Sequence, residues 1–67
     1  MIELTDLAVL TETYATEFLA AETGLSKSKI KTTMTRGAVW LTSGSSRKRL
    51  RRAKAKLAPG DLVSIYY

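Results

Sequence analysis

The segment from Gly24 to Leu41 (GLSKSKIKTTMTRGAVWL) admits few local structures, and the rest of the chain has to be arranged around it. Ser26 is placed to cap a helix, because its hydroxyl can accept a hydrogen bond from a free N–H of the first turn. Gly37 is the matching stop, since glycine takes the left-handed conformation that closes a helix at little cost. Between them Ile30 and Met34, four apart, form an apolar stripe that Leu25 extends from the turn. At 100° per residue, Ser28, Thr32 and Thr35 fall on the opposite face. Lys27 and Lys31 lie along one edge of that face, with Lys29 and Arg36 along the other. The residues after the stop, Ala38 to Thr42, include the strand formers Val39, Trp40 and Leu41. A helix docked on a small core, showing short hydroxyls framed by cations, suits a phosphate backbone.

The flanking sequence completes an α+β domain. Met1 to Thr11 alternates imperfectly, with Ile2 and Leu4, then Leu7 and Val9, interrupted at Thr5 and Asp6. One or two short strand pieces are expected there. Thr11 or Thr13 can cap a first helix running to about Glu22, with Glu12 and Glu17 favourably placed near its positive end. Its expected apolar face is Tyr14, Phe18 and Leu19, joined by Ala15 and Ala21. Gly24 ends it, and so short a link makes a pair of consecutive helices. Beyond the first strand, Thr42 to Ser46 (TSGSS) is a turn or loop with Gly44 free to take positive φ. A second strand is expected near Lys48 to Arg51, followed by an irregular basic segment. Ala58-Pro59-Gly60-Asp61 is a turn, with proline presetting its second position and glycine its third. Leu62 to Tyr67 closes the chain as a strand, and apolar residues on both of its faces mark it as central. The expected architecture is two antiparallel helices packed on a small, mostly antiparallel sheet, in a single domain spanning residues 1–67.

Charge is segregated along this sequence. The net charge is +5, yet every charged residue before Ser26 is acidic: Glu3, Asp6, Glu12, Glu17 and Glu22. After it come eleven cations and only Asp61 of opposite sign. Seven of those cations fall within Arg47 to Lys56, where they repel one another unless a polyanion is near. Such a distribution implies an anionic macromolecular partner. The absence of cysteine and histidine removes disulfides, the usual zinc sites, and Cys- or His-based catalysis. Glu12, Glu17 and Glu22 lack a partner base or metal-ligand spacing, and Asp61 is a turn residue. Catalysis by this chain alone is therefore not expected, and no cofactor or small-molecule substrate is implied. No apolar run is long enough to span a bilayer and no secretory leader is evident, so a cytoplasmic location is the expectation.

In order and spacing, several of these pieces resemble one known module. They are the Phe18-Leu19 pair, the Gly24-Leu25 turn, S-x-S-x-I at Ser26 to Ile30, R-G-x-V at Arg36 to Val39, and L-x-P-G-D at Leu57 to Asp61. Together they resemble the S-four domain, the RNA-binding module named after the fourth protein of the small ribosomal subunit. The likeness runs from Tyr14 to about Ile65. The Gly37-Ala38-Val39-Trp40 step and the basic run after it look most like the N-terminal domain of large-subunit-type RNA pseudouridine synthases. Members bind structured RNA, such as rRNA or tRNA, through the second helix and the hairpin that follows. Carried onto this chain, the resemblance implicates Ser26, Lys27, Ser28, Lys29, Lys31, Thr32 and Arg36, then Arg47, Lys48, Arg49, Arg51, Arg52 and Lys54. It implies either a fragment of a longer enzyme, with a catalytic domain following Tyr67, or a stand-alone binder that positions RNA for the ribosome. Two departures are plain. Lysines stand where the family often has arginines, keeping charge but losing the bidentate fork. Ser43-Gly44-Ser45-Ser46 replaces the asparagine-glycine turn common after the first strand.

Two other functions compete. Ala15 to Ala38 has the outline of a DNA-binding helix-turn-helix, although Ser28, Thr32 and Thr35 lack the forked groups that read bases. A protein-docking module with an acidic partner would use the same basic face. Trp40 could stack on a base, but lying in an apolar strand it is expected in the core. Tyr66 and Tyr67 could likewise serve as stacking platforms, but are expected to pack on the sheet or on a following domain.

Overall fold

A computed structural model describes residues 2–67. It shows β1 (Glu3–Ala8), β2 (Thr13–Tyr14), α1 (Ala15–Thr23), α2 (Lys27–Thr35), β3 (Val39–Ser43), β4 (Ser46–Arg49), β5 (Lys56–Leu57) and β6 (Leu62–Tyr66). Four strands form an antiparallel sheet in the order β1-β6-β3-β4, and β2 pairs with β5 in a separate antiparallel ribbon. The expected α+β class, with two helices and an antiparallel sheet, is what the chain adopts. β6 is central, flanked by β1 and β3, as its two apolar faces suggested.

The core forms on one side of the sheet. Val39 and Leu41 of β3 and Val63 and Ile65 of β6 point inward to meet Ala15 and Leu19 of α1 and Ile30 and Met34 of α2. Val9, Leu50 and Leu57 close the remaining sides. Each fully buried side chain of this size contributes about 1.5–3 kcal/mol relative to leaving it in water. Leu25 and Phe18 pack against the cluster while partly exposed. The side-chain polar atoms buried among the described residues all find hydrogen-bond partners. Thr33 is one of them, its hydroxyl donating to the Lys29 carbonyl at 2.9 Å.

The signals around α2 act as expected. The Ser26 hydroxyl accepts from the Lys29 N–H at 3.2 Å, and Gly37 sits at φ 76° with its N–H donating to the Met34 carbonyl. Gly44 has φ 62° at the first central position of the two-residue β3–β4 turn, where hairpins of this length favour glycine. At the other turn, Asp61 Oδ2 accepts from the Ala58 N–H at 3.0 Å.

Several boundaries differ from expectation. Thr11 and Thr13 do not cap α1. Thr13 and Tyr14 are instead paired with Leu57 and Lys56, and the helix begins at Ala15 without a side-chain cap. Its leading donors are satisfied across the chain: the Ala15 N–H donates to the Ala55 carbonyl at 2.9 Å and the Thr16 N–H to that of Ala53 at 3.2 Å. Starting there turns the helix so that Ala15 and Leu19 are buried, while Tyr14 and Ala21 stand exposed. β4 begins at Ser46 rather than near Lys48, and Leu50 leaves it to enter the core. β1 is one strand with a bulge between Leu4 and Leu7, where Asp6 adopts φ 53° and donates its N–H to Ser64 Oγ at 3.1 Å. Met1, which opened the expected strand segment, lies outside the described residues.

Trp40 is the main correction to the expected core. Alternation along β3 sends Val39 and Leu41 inward and Trp40 outward, onto the sheet face that the helices leave uncovered.

Candidate nucleic-acid interface

All thirteen candidate residues are exposed, but the fold distributes them over three surfaces. The first is a groove between the two helices and the segment after β4. There Lys27 and Lys31 from one edge of α2 meet Lys54, over a floor of Thr16 and Ala53. The local cause is the backbone pairing of Ala53 and Ala55 with the start of α1, reinforced by the Thr16 hydroxyl donating to the Ala53 carbonyl at 3.2 Å. Those bonds clamp the basic run against the helices. The groove continues past Ala53 and Lys54 along Lys48, Arg51 and Arg52, beside Leu41 and Leu50.

The second surface lies across α2. Ser26, Ser28, Lys29, Thr32 and Arg36 line a groove whose other wall is Tyr66 and Tyr67. The two tyrosines are partly buried and Tyr67 packs against the core, in line with the expected packing on the sheet. They also stand close enough to the helix to border its polar face. The third surface is the open side of the sheet, where Arg47 and Arg49 rise beside Trp40. The basic run is thus divided: Arg47 and Arg49 stand over Trp40, Lys48, Arg51, Arg52 and Lys54 line the groove, and Arg49 borders both.

Hydrogen bonding refines what each group can offer. Thr32 Oγ1 donates to the Ser28 carbonyl at 3.2 Å, and Thr35 Oγ1 to that of Lys31 at 2.9 Å. Their protons are committed to the helix, so lone pairs face outward. Ser26 Oγ accepts from the helix, leaving its proton for an outside acceptor. Lys27 forms an ion pair with Glu17, with both side chains about half exposed. Exposed pairs of this kind are worth under about 1 kcal/mol, so the contact is easily exchanged for another anion. Lys56 pairs with Glu12 at 3.6 Å across the β2–β5 ribbon.

Comparison of the chain with protein-family models, curated proteins and solved structures finds no match. Its function therefore has to be argued from its own surfaces. Among the described residues no cluster of acidic side chains is arranged to hold a metal ion, and no helix is long and apolar enough to cross a membrane. Sequence reasoning ranked core packing of Trp40 above stacking on a base, whereas the fold turns it to the open side of the sheet. The available signal was its alternation with Val39 and Leu41, which places it beside Thr42 rather than with the core residues.

Proposed function

We propose that this domain binds structured RNA, such as rRNA or tRNA, through α2, the β3–β4 hairpin and the basic segment after it. One observation carries the reading: Lys27 and Lys31 of α2 share a groove with Lys54 of the basic run, so two segments far apart in sequence form one cationic track. A track with cations on both walls fits a phosphate backbone better than scattered surface charge does. The resemblance of Ser26–Ile30, Arg36–Val39 and Leu57–Asp61 to the S-four domain supports the same function. Under that resemblance the domain positions RNA for a pseudouridine synthase domain in a longer protein, or for the ribosome, in the cytoplasm.

The hydroxyls of α2 favour RNA over DNA. The outward lone pairs of Thr32 and Thr35 complement a ribose 2′-hydroxyl donor, a group that DNA lacks. An A-form duplex displays phosphates and 2′-hydroxyls while hiding its base edges in a deep groove, so recognition rests on shape and charge. Changing Lys31, Arg36, Arg49 and Arg51 together to alanine removes cations from all three surfaces and tests the assignment. Binding to a hairpin RNA is expected to fall at least tenfold with the thermal unfolding transition retained. Undiminished binding by the folded variant would refute the assignment. A matched DNA duplex bound as tightly as the hairpin RNA would favour a helix-turn-helix reader instead, and binding to neither would favour an acidic protein partner.

A further inference from the structure

The uncovered face of the sheet holds a further constellation, centred on Trp40, with Arg49 shared with the neighbouring basic groove. Arg47 and Arg49 both lie over the Trp40 ring, their Cζ atoms 5.0 and 5.2 Å from its centroid. The strand register produces this arrangement. Trp40 is opposite Arg49 on one side and Ser64 on the other, and Thr42 is opposite Arg47, so both arginines emerge on the Trp40 side of β4. The Arg49 side chain passes close to Gly37, where an added Cβ would lie 3.4 Å from its Cδ and Nε. Beneath the ring, the Ser64 hydroxyl is already engaged by the Asp6 N–H. What faces solvent is two exposed guanidiniums over a half-buried indole.

Two features of this surface need a ligand to make sense of them. Ordering an arginine side chain costs up to about 2 kcal/mol in rotamer entropy, and cation–π contact offsets only part of that when exposed. Two guanidiniums gathered on one ring also repel each other. A planar ligand that carries negative charge answers both: a flat ring stacks on the indole and guanidinium faces, while an anion bridges the N–H edges. A nucleotide has these two parts in one unit.

We propose that Trp40, Arg47 and Arg49 form a stacking subsite for one unpaired RNA nucleotide. Its base lies flat on the indole–guanidinium surface and its phosphate accepts from the guanidinium edges. The proposal rests on the RNA-binding reading and narrows it to RNA in which a duplex is interrupted. Base faces in a continuous duplex are covered by their neighbours, so this surface finds a base only at a bulge, loop or end.

Trp40 is the sole tryptophan of the chain, so its emission reports on the subsite directly. The test compares a fully paired hairpin RNA with the same stem carrying one unpaired adenosine. The bulged RNA is expected to bind roughly 5- to 100-fold more tightly and to quench Trp40 more strongly. Trp40→Leu should make the two affinities equal, and Trp40→Phe should retain the preference. If Trp40→Leu does not fold, the Arg47→Ala/Arg49→Ala double variant serves in its place, with the same loss of preference expected. Equal affinities in the unmodified protein, or a preference that survives these variants, would overturn the subsite while leaving RNA binding intact. Failure to bind either RNA would overturn both. Quenching by poly-glutamate equal to that by the bulged RNA would assign this face to an acidic protein segment and overturn the subsite.

Discussion

Ser26 and Gly37 bracket α2, and their chemistry is local enough that each can be tested by one substitution. Ser26→Ala removes the acceptor of the Lys29 N–H and is expected to lower stability by about 1 kcal/mol in urea unfolding, whereas Ser26→Gly should cost only a few tenths. Gly37→Ala places a side chain at φ 76° and within 3.4 Å of Arg49. The expected cost is about 1–2 kcal/mol and comes from the backbone, since 3.4 Å is an ordinary contact for the Arg49 side chain. These positions were legible in the sequence because a cap and a helix stop depend on neighbours within a few residues. Ile30 and Met34 were legible for the same reason. Trp40 was not, because its environment is made by Arg47 and Arg49 on another strand. An apolar residue in a short strand points either way until the sheet's covered side is known.

At the scale of elements, α1 illustrates what local signals miss. Thr13 carries good helix-start chemistry, yet it and Tyr14 are held in a two-residue ladder with Lys56 and Leu57. Nothing within ten residues of Thr13 announces that pairing. The same ribbon brings the basic run against the helices and so creates the groove of Lys27, Lys31 and Lys54. The cations themselves were legible as an exposed surface, but which of them stand over Trp40 and which line the groove depended on where β4 began. Glu17 sits in this groove as its one anion, paired with Lys27. Glu17→Gln should therefore strengthen RNA binding roughly 2- to 5-fold at low salt, with the gain shrinking as screening increases. A fluorescence anisotropy titration would read this, and weaker binding would mean that the pair orients Lys27 rather than competing for it.

For the whole molecule, stability and function draw on one small core. A domain of this size has about 3–5 kcal/mol of net stability to spend. Leu19→Ala or Ile30→Ala, each removing a fully buried side chain, costs about 2–5 kcal/mol. Either variant should be largely unfolded at 37 °C by circular dichroism. The surface opposes charge to charge in the same compact frame, with acidic residues confined to the first part of the chain and cations to the rest. That asymmetry is what a polyanion would read first. The most direct measurement is the affinity of the domain for a hairpin RNA and a matched DNA duplex across a salt series. With roughly 4–6 phosphates engaged, log affinity should fall against log salt with a slope of about −4 to −5, taking the per-phosphate coefficient of duplex DNA, and RNA should bind more tightly at every salt concentration. A slope near zero, or equal affinity for the DNA duplex, would contradict the account.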